Sequence, residues 1–347
     1  MLRWILLGAL LGACAADDDD TAAEGTAPGG GTAADAGGED SQPDEGGEGG
    51  EVPEPTEPGY QALAPLPTVL QEHAVVWLNG EIFVLGGFSP QPTGALSAYD
   101  PATDTWRQAA EFPASIHHAN AAVVDGLLYV VGFNTGLSFV AVGEVHAYDP
   151  VADAWSMLGA VPEGLEVAAS AVAVQGTKIY MAGGARSGAV SDFLVYDTAD
   201  NSFESLPSLP DAREHTVGGF IDGVLYVSGG RNMGFSGFTP DTLAFDPAVG
   251  EWEVLAAMGV PRGGLAGAVL DGKLYTFGGE GSADDAGGVF PDAEVYDPST
   301  DSWEALPDMP NPRHGFGAVA VDGKIYLPGG ADTMALGAID VHSVFVP

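Results

Sequence analysis

Five arginines fall at spacings that could build one anion site. Counting back ten residues from six corner glycines (Gly80, Gly126, Gly176, Gly223, Gly272 and Gly323) gives Leu70, Ile116, Glu166, Arg213, Arg262 and Arg313. Three arginines thus share one register in consecutive units, with Glu166 beside them. A guanidinium fork matches a planar carboxylate and grips it with two parallel bonds. The pattern reads as a carboxylate-binding arc at a channel mouth, with Glu166 as the candidate proton shuttle. Arg186 and Arg231 follow glycine pairs and extend the arc. The same register also reads as scaffold, each arginine holding a neighbouring loop.

Histidines lie close by: His73, His117, His118, His215 and His314. Their offsets from the corner glycines are seven, nine, eight, eight and nine residues. Offsets of both parities fall on alternate strand faces, which argues for strand openings rather than a ring of metal ligands. No metal and no cofactor is expected. The chain has no Gly-x-Ser-x-Gly, no His-Glu-x-x-His and no phosphate loop. Phe133, Phe139, Phe235, Phe238 and Phe290 fall in the variable segments, where they either stack on a sugar or protein or cover their own loops.

The elements that position these residues repeat six times. Each unit begins with an apolar run such as Gly317–Val321 and reaches a corner: Asn79-Gly80, Asp125-Gly126, Asp222-Gly223, Asp271-Gly272 or Asp322-Gly323. Such pairs favour the positive-φ hairpin turn. The third unit has Gln175-Gly176-Thr177, which predicts a turn one residue longer. A second strand follows and ends in Gly-Gly, or Gly132-Phe133 once, where glycine implies close backbone approach. The first glycines, at 86, 132, 183, 229, 278 and 329, are 46 to 51 residues apart. A third strand ends in an aromatic plus Asp (Tyr99, Tyr148, Tyr196, Phe245 and Tyr296), usually before Pro, which reads as a type I turn. Seven residues later stands Trp106, Trp155, Phe203, Trp252 or Trp303, on a fourth strand.

Gly-Gly, then Tyr-Asp-Pro, then Trp at this period resembles the kelch repeat, whose units are the blades of β-propellers. The resemblance covers about residues 60–347. It implies an all-β, six-bladed kelch β-propeller with four antiparallel strands per blade. The last unit stops at Val344-Phe345-Val346-Pro347, one strand short. Tyr60–Pro67 matches Trp303–Pro310 in spacing, so the N-terminal strand is expected to close the last blade. In kelch blades the two variable connections share one face, where binding is expected.

Residues 1–14 have a basic start, a short apolar core and small residues, the pattern of an export signal. Leu11-Gly12-Ala13-Cys14 resembles the lipobox of bacterial lipoproteins, which implies lipidation at Cys14. Residues 15–58 carry almost no large apolar side chains and read as a disordered acidic tether. Of 49 acids and 10 bases, 14 acids lie in the tether and one base in the signal; residues 59–347 keep 35 against 9, a balance of −26. A surface of that sign repels nucleic acid, which is excluded as a partner.

The leading expectation is a non-catalytic binding or interaction protein, exported and lipid-anchored to the cell envelope, taking a protein or carboxylate-bearing ligand on its variable loops. Blade count and charge pattern also resemble the bacterial N-acetylneuraminate epimerases (mutarotases). That resemblance implies a sugar-acid substrate, with Arg213, Arg262 and Arg313 on its carboxylate and Glu166 in proton transfer. A third expectation is an envelope structural or adhesion component using divalent cations, with Asp284-Asp285 as the loop cue. The Tyr–Cys chemistry of copper oxidases with kelch-like propellers is excluded, because no cysteine lies within residues 59–347.

Overall fold

At the first corner Asn79 and Gly80 take φ of 51° and 91°, the left-handed pair a two-residue hairpin needs to match strand twist. That hairpin joins Ala74–Leu78 to Glu81–Leu85, and Leu96–Asp100 and Thr105–Ala109 complete the first blade. A computed structural model describes residues 57–137 and 139–347. The expected export signal, Cys14 and the tether up to residue 56 lie outside the described residues.

The pattern recurs in antiparallel four-stranded sheets whose first strands are Ala121–Val124, Ala171–Gln175, Val217–Ile221, Ala266–Leu270 and Val319–Val321. We number the blades I to VI in this order and their strands a to d. Blade II gains a short extra strand, Ile116–His117, paired to its long strand b, Leu127–Thr135. The only helical turn among the described residues is a 3-10 turn, Ala286–Gly288, in the b-to-c loop of blade V. In blade VI, Gly59–Ala62 supplies strand d, pairing Tyr60 with Phe345 and Gln61 with Val344. The ring is closed by the N-terminal strand, as the spacing of Tyr60–Pro67 predicts. The molecule is a six-bladed all-β propeller.

The third corner corrects the expectation of a longer turn. Gln175 pairs with Lys178, so Gly176-Thr177 is also a two-residue turn, with its positive φ on the first residue instead of both. Gly176 therefore stands one position earlier than the other corner glycines, and counting back from it lands one residue off. The true partner of the arginine register in blade III is Val167, not Glu166. The packing agrees: the first glycine of the preceding blade meets the carbonyl of Ile116, Val167, Arg213 or Arg313 in turn. At Gly278 an added Cβ would stand 2.2 Å from the Arg313 carbonyl oxygen, and φ is +59°, so no other residue fits.

Neighbouring blades are latched outside the ring. Tyr99 Oη donates to Asp104 Oδ1 (2.7 Å), which also accepts the amide of Ala64 (2.8 Å) from the chain beyond the neighbouring blade's last strand. Trp106 Nε1 donates to the carbonyl of Ala64 (3.0 Å). Tyr148, Asp153 and Trp155 repeat this on Ala110, and Tyr296, Asp301 and Trp303 on Ala256. The tryptophans are half-buried, because one edge must reach a partner beyond their own sheet. The core lies between blade faces, as in the cluster of Leu85, Leu96, Phe112, Leu128 and Phe133 between blades I and II.

Candidate functional site

Each blade sends one residue to the inner end of its strand a: Glu72, His118, Ala169, His215, Gly264 and Gly315. All six have positive φ, between 54° and 64°. Their backbones bond to one another around the ring. The amide of Glu72 donates to the carbonyl of Gly315 (2.6 Å), His118 to Glu72 (3.0 Å), Ala169 to His118 (2.9 Å), His215 to Ala169 (3.2 Å), Gly264 to His215 (3.0 Å) and Gly315 to Gly264 (2.8 Å). This belt is the floor of the mouth. Glycine takes the conformation without a steric penalty, whereas Glu72, His118 and His215 hold it against one.

The residue before each belt position pairs with the residue after the glycine pair. Glu214 and Arg231 exchange backbone bonds of 2.9 and 3.0 Å, and Gly263 faces Glu280 in the same way. These two registers aim charged side chains over the belt. Arg231 Nε lies 3.3 Å from Glu214 Oε1, its Nη1 is bonded to Glu280 Oε1, and its Nη2 stands 3.2 Å from His215 Nε2. His118 Nε2 is 2.9 Å from His215 Nε2 and 3.2 Å from Glu72 Oε2. His314 Nδ1 stands 3.7 Å from Glu72 Oε1 and 3.6 Å from Glu280 Oε2. Three carboxylates and one guanidinium thus gather over the belt, a balance that favours a cation over an anion.

Burial alone would raise the Glu72 carboxyl, but His118, His215, His314 and Arg231 outweigh it and hold the group down to about 2. Glu214 likewise lies at about 2, burial being overcome by His215 and Arg231. Burial pushes the His118 imidazole down to about 3, so it is uncharged at neutral pH.

Above the belt opens a cavity of about 480 Å³, bounded by His118, His215, Glu214, Arg231, Phe139 and Phe235. Phe235 stacks on the Arg231 guanidinium at 4.9 Å. Phe139 and Phe235 are 60% and 53% exposed, whereas Phe133 lies on strand b of blade II in the core between blades I and II, and Phe290 is buried in its own loop.

Of the arginines read from sequence, only Arg231 reaches this mouth. Arg213, Arg262 and Arg313 are at most 1% exposed and lie between blades. Arg213 bonds Asp211 and the carbonyls of Gly229 and Asp241. Arg262 Nη2 meets Glu294 Oε2 and Thr276 Oγ1, both at 3.0 Å. Arg313 bonds the carbonyls of Asn311 and Leu327 and the hydroxyl of Ser343. They do not form a carboxylate arc at the mouth, because their stems run back beneath the glycine pairs, where backbone carbonyls need donors. Arg186 is bonded to Asp192 and to the carbonyl of Glu166, whose own carboxylate accepts the Gly164 amide. Glu166 thus stands by Arg186 and is not a partner of Arg213, Arg262 or Arg313.

Glu72, Glu214 and Glu280 are the site residues that the sequence reading missed. Glu72 shares the offset of eight with His118 and His215, and Glu280 directly follows its glycine pair as Arg231 does. Comparing whole registers, rather than histidines alone, finds them.

Residues 159–330 match the KLHDC2/KLHL20/DRC7 Kelch-repeats domain, and residues 71–113 match the Kelch motif. Kelch-like protein terF of Aspergillus terreus is 35% identical over 298 residues, which is 80% of this chain and 64% of that protein. The chain thus spans less than two thirds of that relative. Kelch repeat and BTB domain-containing protein 12 of Homo sapiens is 34% identical over 83 residues, 21% of this chain and 13% of that protein. Among solved structures, YjhT aligns with a TM-score of 0.70 over 82% of this chain and 96% of its own, at 17% identity, a likeness of fold.

Proposed function

We propose that this chain, a kelch-repeat β-propeller protein, is a non-catalytic interaction module that takes a protein partner on its loop face. The observation that carries this reading is an apolar rim. Leu137 and Phe139 on blade II, Met233 and Phe235 on blade IV, and Met334 and Leu336 on blade VI all stand exposed on b-to-c loops. Large apolar side chains gathered around one mouth mark an interaction surface, whereas scattered ones carry no meaning. Loops on a rigid scaffold are where such surfaces sit, and aromatic and methionine side chains suit the centre of a protein interface. A photo-crosslinking residue at Phe235, placed in cells that make the protein, tests the reading. A discrete adduct is expected, and it should vanish when Phe139, Met233 and Leu336 become serine. An adduct pattern indifferent to those substitutions would sink it.

We place the module outside the cytoplasm, tethered by lipid at Cys14, on the strength of the Leu11-Gly12-Ala13-Cys14 sequence. Incorporation of labelled fatty acid that is lost in Cys14→Ser checks this.

A second reading, anomer exchange on a sugar acid, draws its support from the mouth cavity, which has room for a monosaccharide beside Glu214 and Arg231. NMR of N-acetylneuraminate anomers decides it. A rate unchanged by added protein removes the enzyme.

A further inference from the structure

We propose that Glu72, His118 and His215 form a binding site for one divalent transition-metal ion on the floor of the mouth. The site goes beyond the partner-binding reading and does not rest on it.

The three donor atoms come from three blades and converge on one point. Glu72 Oε2 lies 3.2 Å from His118 Nε2 and 3.7 Å from His215 Nε2, and the two imidazole nitrogens are 2.9 Å apart. Donors held about 2.0–2.1 Å from a tetrahedral ion stand about 3.3 Å from one another. The observed separations bracket that value, so an ion enters with shifts of a few tenths of an ångström. Two imidazoles and one carboxylate select a first-row transition ion; Ca²⁺ and Mg²⁺ prefer oxygen donors.

Arg231 fixes His215 in the binding tautomer. A guanidinium can only donate, so Arg231 Nη2 at 3.2 Å requires a lone pair on His215 Nε2. The proton of His215 then sits on Nδ1, which faces Glu214 Oε2 at 3.7 Å. The carboxylate stands on the side where metal-bound imidazoles commonly find support, as a charge facing the N–H from beyond hydrogen-bond distance. His118 Nε2 points into the same site and donates to the His215 lone pair at 2.9 Å, so an ion displaces this proton, while His118 Nδ1 stays against His117 Nδ1 at 2.5 Å. An incoming ion takes the His215 lone pair in place of the Arg231 N–H, and Arg231 keeps Glu214 and Glu280 as partners.

The geometry is set in advance and open on one side. The belt bonds fix all three ligand backbones, independently of the variable loops. The other belt positions are Ala169, Gly264 and Gly315, whose side chains are too short to cap an ion. The cavity of about 480 Å³ lies over His118 and His215. Three protein ligands with open positions facing a cavity is the arrangement of a site that also holds an exogenous ligand.

Cobalt gives a readout free of any activity. The full-length chain, stripped with chelator, is titrated with Co²⁺ and followed by visible absorption and calorimetry. One Co²⁺ per chain is expected, with the d–d bands of a low-coordinate site, displaced by Zn²⁺ and indifferent to excess Ca²⁺. His118→Ala and Glu72→Gln should abolish the bands. Alanine already occupies the belt at Ala169 with φ of 54°, so His118→Ala should melt cooperatively as a folded protein. Glu214→Gln should weaken binding, because it removes the negative charge that faces His215 Nδ1. Binding that persists unchanged in folded His118→Ala would assign the ion to the acidic N-terminal segment or Cys14 and overturn the proposal. So would the lack of saturable binding by the unsubstituted chain.

Discussion

Arg262 and Arg313 occupy one register in adjacent blades yet hold their charges differently. Arg262 faces Glu294 at 3.0 Å, and Glu294 also accepts the Gly259 amide at 2.7 Å. Among the described residues Arg313 meets carbonyls, a hydroxyl and the face of Phe316 at 4.9 Å, and burial pushes its pKa down to about 10. Arg262→Met strands a buried carboxylate and should cost about 3 kcal/mol or more. Arg313→Met strands no charge and should cost clearly less, a ranking that urea unfolding of the two variants reads directly. A second residue-scale consequence concerns acid. His342 lies among the rings of Tyr99, Trp106 and Tyr326, with Asp104 and Arg313 as the charges facing it. Burial pushes its pKa down from 6.5 to about 4. The unfolded chain therefore binds this proton first, so the stability His342 contributes is complete above pH 6.5 and is lost as pH falls through about 4. The loss over that window is about 3 kcal/mol. His342→Gln should flatten the fall of melting temperature between pH 6.5 and 4. Little of this was legible in the sequence, since a buried arginine and a ligand-binding one have the same letter and the same period.

At the scale of the element, each Tyr-Asp…Trp set is a clasp reaching from one blade to the next. Trp106→Phe keeps the ring and loses one hydrogen bond, so it should cost about 1 kcal/mol. Phe203 already stands at that position in blade III, which shows that the ring alone is tolerated there. Trp106→Ala removes the packing too and should cost about 2–4 kcal/mol, less than a fully enclosed tryptophan would. Chemical unfolding of the pair separates bond from packing. The strands, corners and blade count were legible because their chemistry is local: positive φ demands Gly, Asn or Asp, and alternation demands apolar residues. The site was not, because its registers differ by single residues. One shifted glycine, Gly176, was enough to put Glu166 in place of Val167. Glu72, His118 and His215 share an offset whose meaning appears only when six strand openings meet at one axis.

At the scale of the whole molecule, closure rests on Gly59–Ala62. Tyr60 packs on Phe345 at 5.0 Å between centroids, and its hydroxyl reaches the Pro307 carbonyl at 3.0 Å. Removing residues 59–68 leaves His342–Val346 with an unpaired edge and frees blade VI from blade I. Melting should fall further than for any single substitution above and lose its cooperativity, as calorimetry would show. An unchanged transition would mean that the ring is held without its last strand. The belt carries a different consequence. Its six amide-to-carbonyl bonds all run the same way round, so every donor is also an acceptor and none is left over. A helix stacks its peptide dipoles along an axis and ends in partial charges. Here the dipoles chase one another in a circle and their tangential parts cancel. The ring of bonds therefore has no charged end to offer an incoming group. Whatever potential an arriving ion or partner meets is written by the few side chains carried on the belt and on the two registers beside it, and a single exchange among them rewrites it.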